Sequence, residues 1–340
     1  MRKPKLALYW AASCGGCDMA VLELKEKILD VADAFDLVFW PVALDYKYKD
    51  VEAMDDGEID VCLFNGAIRN SENEHVARLL RRKSKVMVAF GACAMNGGIP
   101  GLANVSNRAE LIDLVYRRNP SVDNPAGTVP QTRVEVSEGE LTLPELYDTV
   151  RTLDQTVVVD YYVPGCPPEA AQVWDVVTAV IAALKSGVLP PHGAVLGAGE
   201  KTVCDECARI KEEKKVSGFK RPWEIIPDPE KCLLEQGIIC MGPATRAGCG
   251  ARCPSVGMPC RGCYGAPAGV LDQGAKMLSA LASIIDADTP EEIARIAATV
   301  PDPLGTFYRF GLAGSLLRRT RMSGSEEDTA PVSEKSEARA

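Results

Sequence analysis

Histidine is scarce in this 340-residue chain, which has only His75 and His192, both expected at the surface. The scarcity disfavours zinc sites of mixed cysteine and histidine ligation, and it disfavours acid–base catalysis by histidine. Long apolar runs are also lacking: none approaches the roughly 18–20 residues that span a bilayer, so we expect no transmembrane segment. Basic residues are in deficit, with 38 lysines and arginines against 47 acidic side chains. The resulting net charge of −9 argues against nucleic-acid binding.

The beginning of the chain, "MRKPKLALYW", lacks the features of an export signal, because it has no long apolar segment and no twin-arginine pair. It leads directly into a strand-like run, and we predict a cytoplasmic protein. The glycine-rich stretch "GACAMNGGIPG" lacks both the P-loop pattern and G-x-G-x-x-G, which disfavours nucleotide binding. We expect its glycines to let the backbone approach a bound group closely.

Cysteine, by contrast, is abundant, with thirteen residues in the chain. Structural disulfides are rare in reducing compartments, so a cysteine-rich cytoplasmic protein more often binds metal or performs redox chemistry. With so few histidines, ligation by thiolates alone points to iron–sulfur clusters or to four-cysteine zinc. The pair in "SCGGCDMA" leaves three possibilities open: a redox disulfide, half of a zinc site, or the start of an iron–sulfur site.

Strand-like and helix-like segments alternate through the first half of the chain and predict an α/β fold with a doubly wound parallel sheet, which is flavodoxin-like. The predicted strands cover residues 5–11, 36–43, 60–67, 85–93 and 155–163. Helices are predicted over residues 19–35, 72–83 and 168–187, and further along over 268–286 and 290–300.

Four cysteines follow predicted strands directly. Because ligands bind beyond the carboxyl ends of parallel strands, we expect these side chains to meet at one edge of the sheet as a four-thiolate site. They are Cys14, Cys17, Cys93 and Cys166. Asp18 and Glu23 follow the first pair and are either solvated or helix-capping acids, or groups that assist proton movement.

The expected domain organisation is a flavodoxin-like domain over residues 1–187, followed by a smaller, irregular cysteine-rich domain over residues 188–310. The first domain is interrupted at about 101–154 by a polar surface insertion with one helix, about 107–118. The boundary falls in the glycine- and proline-rich stretch 186–202. Residues 323–340, rich in serine and glutamate, are predicted to be disordered.

The remaining cysteines divide into one core residue and two sets of four. Cys62 lies inside an apolar strand and is expected to be a buried core cysteine. Residues 204–263 contain eight cysteines and include the string C-x3-C-P-x5-C-x2-C, in which the proline is typical of ferredoxin-like cluster loops. A zinc module, a metal-stabilised scaffold without electron transfer and, for the first pair, a thioredoxin-like role remain as alternatives.

Four motifs, in order, resemble those of the small subunit of nickel–iron hydrogenases. They are "SCGGCDMAVLEL", "FGACAMNGGIPG", "DYYVPGCPPEA" and "CLLEQGIICMGPATRAGCGARCPSVGMPCRGCYG". The resemblance covers about residues 5–300 and is greatest to the cytoplasmic bidirectional group, such as the methyl-viologen-reducing, deazaflavin-non-reducing hydrogenases.

The resemblance implies three 4Fe–4S clusters, each held by one set of cysteines. The proximal set, for the cluster nearest the nickel, is Cys14, Cys17, Cys93 and Cys166. The distal set is Cys204, Cys207, Cys232 and Cys240. The medial set is Cys249, Cys253, Cys260 and Cys263. Respiratory, membrane-associated members often have histidine at the first distal position and proline at one medial position, where this chain has Cys204 and Cys253.

The function implied is electron transfer within a hydrogenase complex that oxidises H2 reversibly. With twelve cysteines assigned to clusters and only Cys62 left, this chain has no nickel site, so H2 activation is expected in a partner large subunit. An iron–sulfur or flavin subunit is the expected electron acceptor. The rival interpretation is a quinone-reductase component like the small cluster-bearing subunit of complex I. That subunit usually has two adjacent cysteines instead of C-x2-C, and it ends before any eight-cysteine domain.

Overall fold

The structure, a computed structural model, describes residues 2–212 and 215–317 of the chain. Its centre is a five-stranded parallel sheet whose strands lie side by side in the order Asp36–Phe39, Lys5–Trp10, Ile59–Asn65, Ser84–Phe90 and Tyr161–Val163. Counting only the strands of this sheet along the chain, the order is 2-1-3-4-5, which is the flavodoxin-like, doubly wound arrangement, and the predicted fold class is confirmed. The strands are β1 (Lys5–Trp10), β2 (Asp36–Phe39), β3 (Ile59–Asn65), β4 (Ile68–Asn70), β5 (Ser84–Phe90), β6 (Arg133–Val136), β7 (Gly139–Thr142), β8 (Leu146–Arg151) and β9 (Tyr161–Val163).

Helices cover both faces of this sheet and continue as short segments through the second half of the chain. They are α1 (Gly16–Leu22), α2 (Ile28–Ala34), α3 (Tyr48–Glu52), α4 (Ser71–Lys83), α5 (Ala92–Asn96), α6 (Arg108–Asp113), α7 (Ala170–Ser186), α8 (Val203–Glu206), α9 (Arg252–Ser255), α10 (Gln273–Ala282), α11 (Pro290–Ala297) and α12 (Pro303–Phe307). Tighter turns cover Lys25–Lys27, Ile99–Val105, Leu234–Gln236 and Gly242–Ala244, and a π-helical turn covers Leu114–Arg118.

The central strand β3 explains why the sheet is buried on both faces. All seven of its residues are buried, as expected for a parallel strand between two layers of helices. Because side chains alternate along a strand, Phe64 points into one core, beneath α4, and Leu63 points into the other, beneath α1 and α7. The sheet is therefore the shared wall of two apolar cores, and its carboxyl edge is left for loops.

The cysteine-rich second half has its own apolar core. Leu233, Ile238, Met277 and Phe307 are buried there, and several cysteines pack among them. Regular elements are short in this region, and isolated bridges such as Thr202 with Arg246 replace extended ladders. Residues 193–196 run beside the edge strand β9, where Val195 pairs with Tyr162.

Three details of the predicted elements are wrong. The helix predicted over 19–35 is split into α1, a tight turn and α2, because Lys25 has a φ of 56°, which an α-helix does not tolerate. The strand predicted over 155–163 is reduced to the three residues of β9. The insertion contains α6 and a π-helical turn, and in addition the strands β6, β7 and β8.

Within the described residues, no helix is long and apolar enough to cross a membrane. The tail predicted over 323–340 lies outside those residues.

Candidate metal centres

The proximal set lies at the carboxyl edge of the sheet. Cys14 is in the loop after β1, Cys17 is in the first turn of α1, Cys93 is in α5 directly after β5, and Cys166 follows β9. All four line one open pocket of about 220 Å³. Chain segments separated by up to about 150 positions thus bring their thiols together at the carboxyl edge of the sheet, as expected for a site in this fold.

Glycine is required beside two of these thiols because the backbone approaches them closely. A methyl group added at Gly91 would overlap the sulfur of Cys17, and one at Gly98 would overlap the sulfur of Cys93. Both glycines also have positive φ, of 87° and 57°. The glycine-rich motif therefore serves close approach to the thiols, in agreement with the expectation from the sequence.

The distal set lines a second open pocket, of about 360 Å³. Its members are Cys204 and Cys207 from α8 and its C-terminal end, Cys232 from the loop before Leu234–Gln236, and Cys240 from the loop before Gly242–Ala244. Two cations, Arg209 and Lys211, line the same pocket. Lys211 donates a hydrogen bond to the Cys204 carbonyl over 2.7 Å. A positive edge of this kind favours anionic, thiolate-bound groups.

The medial set is assembled from the loops around α9 and the C-x2-C turn that follows. Cys249 precedes α9, Cys253 lies within it, and Cys260 and Cys263 follow it. Burial and the nearby thiols of Cys249, Cys166 and Cys253 raise the pKa of Cys263 to about 12. The medial thiols are thus close enough to influence one another electrostatically. Cys263 is also close enough to Cys166, of the proximal set, for that thiol to raise its pKa.

Backbone contacts link the three sets in one order. The Cys166 N–H lies beside the Cys263 sulfur, which brings the proximal set next to the medial set. The Cys260 N–H donates to the Cys240 sulfur over 3.2 Å, which joins the medial set to the distal set. The medial set therefore lies between the other two.

The electrostatics of the thiols fit a tightly bound cationic group. Burial raises the pKa of Cys93 and Cys204 to about 12 and that of Cys240 to about 11. Burial likewise raises the pKa of Cys17 and Cys260, with a further contribution from neighbouring thiolates. These thiols are protonated at neutral pH, so a bound metal displaces their protons and leaves thiolate ligands.

Backbone N–H groups lie close to several of the cysteine sulfurs. The N–H groups of Gly242 and Cys260 approach Cys240, those of Ala251 and Arg252 approach Cys249, and that of Ile99 approaches Cys93. Such N–H···S bonds tune the potential of cluster-bound thiolates. Pockets lined by four soft thiols, with N–H donors aimed at the sulfurs, fit iron–sulfur clusters. In residues 2–212 and 215–317, no three histidine, cysteine, aspartate or glutamate side chains form a group able to hold a single metal ion.

Other candidates from the sequence lie apart from the thiols. Cys62 is fully buried in the apolar core on the α4 face of the sheet, as predicted. His75 and His192 have side chains 63% and 64% exposed, which confirms their surface positions. Glu23 is exposed at the C-terminal end of α1.

Asp18 is neither solvated nor an exposed cap. Its side chain is buried next to Cys17 and accepts hydrogen bonds from the Trp40 indole over 2.9 Å and from the Asn65 amide over 2.7 Å. Trp40 follows β2 and Asn65 ends β3, so the carboxylate ties α1 to the carboxyl ends of two strands. Two accepted bonds satisfy the buried acid and fix the helix that carries Cys17.

Sequence reasoning missed Arg209. Its Nε donates to the Pro254 carbonyl over 2.9 Å, and its Nη1 donates to the carbonyls of Asp228 and Lys231, each over 2.9 Å. Pro254 follows a medial cysteine and Lys231 precedes a distal one. One guanidinium therefore holds two ligand loops together. The charge-rich run around it gives no sign of this role, because the bonds run to backbone carbonyls 19 to 45 positions away.

The fold and the thiol sites define a class: an α/β protein with a thiol site at its sheet edge and a cysteine-rich region behind it. The family model described as "NADH ubiquinone oxidoreductase, 20 Kd subunit" matches residues 14–180. These residues contain four of the five strands of the parallel sheet, helices that pack on it, and the proximal set. The match ends before the distal and medial cysteines.

Relatives that match almost the whole chain identify the family more closely. The iron-sulfur subunit of the F420-non-reducing hydrogenase of Archaeoglobus profundus is 44% identical over 322 residues, covering 93% of this chain and 98% of the relative. A subunit of the F420-non-reducing hydrogenase of Methanothermobacter thermautotrophicus is 38% identical over 320 residues, covering 93% and 96%. The chain belongs to the family of nickel–iron hydrogenase small subunits, and the resemblance found in its motifs is confirmed.

A solved structure of an NAD+-reducing nickel–iron hydrogenase in the H2-reduced state contains a chain that is 32% identical, with a TM-score of 0.46. That match covers 54% of this chain and 93% of the other. Members of this family are subunits of hydrogenases, which are oxidoreductase complexes. The quinone-reductase alternative is not favoured, because the hydrogenase relatives match the cysteine-rich region as well as the sheet.

Proposed function

We propose that this chain is the electron-transfer subunit of a cytoplasmic nickel–iron hydrogenase. The proximal, medial and distal sets each hold one 4Fe–4S cluster, and the chain conducts electrons reversibly between a large subunit and an acceptor subunit. Residues 1–187 form the flavodoxin-like domain and residues 188–310 the cysteine-rich domain. When bound, the clusters supply one-electron oxidation and reduction.

The linear order of the thiol sets carries this proposal. Support comes from the contacts between Cys166 and Cys263 and between Cys260 and Cys240, by which the medial set adjoins each of the other two. A linear series of sites with a pocket at each end suits a conductor between two partners, whereas a metal-stabilised scaffold has no need of it. The distal pocket opens beside Arg209 and Lys211, and the acceptor subunit approaches this end.

The residues of the chain hold, shield and tune the bound groups. The thiolates provide the ligands, burial lowers the surrounding dielectric, and the N–H groups of Gly242 and Ile99 stabilise negative charge on sulfur. Gly91 and Gly98 keep side chains out of the proximal site. None of these groups activates H2, and with Cys62 buried as the one remaining cysteine, the nickel lies in the large subunit.

The test is anaerobic purification of the native complex, with metals measured on the separated subunits and H2-dependent reduction of a viologen dye assayed in parallel. We expect about twelve irons on this chain, nickel on the large subunit, and dye reduction that runs in both directions. Iron without nickel or any response to H2 would leave an electron carrier of another complex. Zinc in place of iron on residues 204–263 would establish the zinc module instead.

The medial site allows a second measurement. Because Cys253 completes a four-thiol medial set, we expect a 4Fe–4S cluster with a lower potential than a 3Fe–4S centre. A redox titration followed by electron paramagnetic resonance checks this. A high-potential 3Fe-type signal in the intact complex would contradict it.

A further inference from the structure

The hairpin formed by β6 and β7 has one apolar face and one polar face. The two strands pair antiparallel, with Val134 directly opposite Leu141. The ladder continues past β7, since the Leu143 N–H donates to the Thr132 carbonyl over 3.0 Å. Side chains two positions apart share a face, so one face consists of Val134, Val136, Leu141 and Leu143. The opposite face consists of Arg133, Glu135, Glu140 and Thr142.

Neither face of this hairpin is covered. Every residue from 131 to 145 is exposed, including the four apolar side chains, which are between 39% and 59% exposed. The polar face needs no cover, because Arg133 and Glu140 form an ion pair over 2.7 Å in water. The apolar face is different: a two-stranded hairpin is at best marginally stable by itself, and a contiguous exposed apolar face marks an interaction site.

The hairpin leaves the body of the protein at the edge that carries the proximal thiols. At its base, Ser71 and Glu145 exchange hydrogen bonds: the Ser71 N–H donates to the Glu145 carbonyl over 3.0 Å, and the Glu145 N–H donates to Ser71 Oγ over 2.9 Å. Ser71 begins α4, which follows β3 and β4 and so begins at the carboxyl edge of the sheet. The same edge exposes other large apolar side chains beside the proximal cysteines, namely Trp10, Met19 and Ile99.

The size of the apolar face restricts its occupant. Four half-exposed aliphatic side chains offer at most a few hundred Å², whereas a stable interface between two copies needs about 800 Å² from each. The C-terminal segment 318–340 does not match either, since it consists mainly of charged and small polar residues. An occupant that already contacts the proximal edge over a larger area fits, because the hairpin then only extends that interface.

We propose that the apolar face of the β6–β7 hairpin docks on the hydrogenase large subunit, against an apolar strip on that partner. This inference rests on the proposed function, which brings the large subunit to the proximal edge. The hairpin acts as a clamp beside the proximal set: its polar face stays in water, and Val134, Val136, Leu141 and Leu143 become buried.

The experiment uses the native complex with an affinity tag on the large subunit. Val134→Lys together with Leu141→Glu replaces two apolar side chains by an opposite-charge pair across the strands, which keeps the ribbon paired. We expect this variant to bind the large subunit about tenfold or more weakly, measured as the retained small subunit on dilution, because two apolar contacts are lost and two charged groups face an apolar strip. Iron content and the cluster signals of the variant should equal those of the unchanged protein.

The matched control is Glu135→Lys, which alters charge on the polar face of the same hairpin and should leave retention within about twofold. Equal retention for the paired variant and the unchanged protein would overturn the proposal. So would loss of the acceptor subunit with the large subunit retained, or the appearance of a dimer of this chain in native mass spectrometry. Absence of a nickel-bearing subunit from the unchanged complex would contradict the proposed function itself. That outcome differs from a failure of the docking proposal, which concerns only the variants.

Discussion

The sheet region and the cysteine-rich region place their thiols differently. In the sheet region, apolar side chains such as Phe64 and Leu63 fill two cores, and the proximal thiols lie at the carboxyl edge of the sheet, where Cys17 alone of the four also belongs to a core. In the cysteine-rich region, Cys240 and Cys260 are buried members of the apolar core itself, and Cys232 packs against it. A site at an edge is added to a fold that is already complete, whereas thiols inside a core make the bound group part of the fold.

Removal of iron should therefore produce the largest difference in ordered structure between the two regions. We expect a chain prepared without clusters to keep the sheet ordered and to lose ordered structure between about residues 200 and 317, because metal binding contributes folding free energy where ligands form the core. Amide hydrogen exchange measured before and after iron removal checks this. The expected result is preserved protection of β3 and β5 and lost protection of the amides that follow Cys232 and Cys240.

Loss of protection in both regions would contradict this difference between them, since the proximal site would then also be needed for the sheet. Unchanged protection in both regions would show that the cysteine-rich region does not depend on its clusters for order. A preparation reconstituted with iron and sulfide is the control, and its protection should return in the second region.

Core truncation gives a smaller and more symmetrical effect. Met87 in the sheet core and Met277 in the second core are both fully buried, so they form a matched pair. Each replacement by alanine should destabilise its own region by about 2–5 kcal/mol through lost burial and an unfilled cavity. Only Met277→Ala should also weaken iron retention, because Met277 packs in the core that contains thiols.

Thermal unfolding and iron content measured on the same samples test this pair. Similar iron loss from Met87→Ala would show that sheet stability and cluster retention are coupled. Retention of all iron by Met277→Ala would show that the clusters alone maintain the second region.

The sequence predicted the sheet well because buried parallel strands leave an unmistakable apolar pattern. All five strands of the sheet overlap predicted segments, although β3 and β5 each begin one residue before the predicted start, and β3 is buried along its whole length. The hairpin β6–β7 was missed because exposed strands bury nothing and pack against nothing. The break near Lys25 was missed because neither glycine nor proline marks it, although Lys25 has a φ of 56°.

Predictability of the sites follows the same rule. The thiols of the proximal set could be placed at one edge, since topology alone brings the ends of parallel strands together. Long-range partners could not be predicted: nothing in the sequence near Asp18 indicates Trp40 or Asn65, and nothing near Arg209 indicates the carbonyl of Pro254. Such contacts depend on tertiary structure and leave no periodic signal.

Each region has an arginine that holds backbone segments together through its guanidinium, and the effects of replacing the two can be compared. Arg209 donates to the carbonyls of Pro254 and Lys231, and Arg81 donates to those of Ser84 and Lys85 and pairs with Asp160. Lysine keeps the charge but cannot reproduce the planar fork, so each arginine-to-lysine change should cost about 1–3 kcal/mol. Arg209→Lys should also release iron faster, whereas Arg81→Lys should not.

The measurement is the rate of iron transfer to a chelator, alongside the unfolding temperature. Equal chelation rates for the two variants would mean that Arg209 stabilises the region without holding its ligand loops. Faster iron loss from Arg81→Lys alone would reverse the comparison.

The smallest expected effect is a pH dependence confined to the sheet region. Hydrogen bonds from Arg78, and then from Arg151, lower the pKa of Glu74 to about 2 from an ordinary value of 4.5. Because the folded-state pKa is lowered, the stabilisation is complete above about pH 4.5 and is lost as pH falls toward 2. Solvent screening limits it to about 1 kcal/mol. Glu74→Gln should therefore lower the unfolding temperature of the sheet at pH 7, and the difference should shrink below about pH 4.5.

The neutral variant separates charge from shape, since glutamine keeps the length of the side chain and one acceptor oxygen. Arg78→Gln is the companion change, because it removes the guanidinium whose Nε and Nη2 donate to Glu74 Oε1 over 3.0 and 2.7 Å. It leaves the Glu74 carboxylate and its hydrogen bond from Arg151, over 2.5 Å. At pH 7, Arg78→Gln should lower the unfolding temperature of the sheet less than Glu74→Gln does. A pH-independent difference for Glu74→Gln would mean that packing, not the ionised carboxylate, stabilises α4 against β8, and the sheet region would then owe its stability to apolar packing alone.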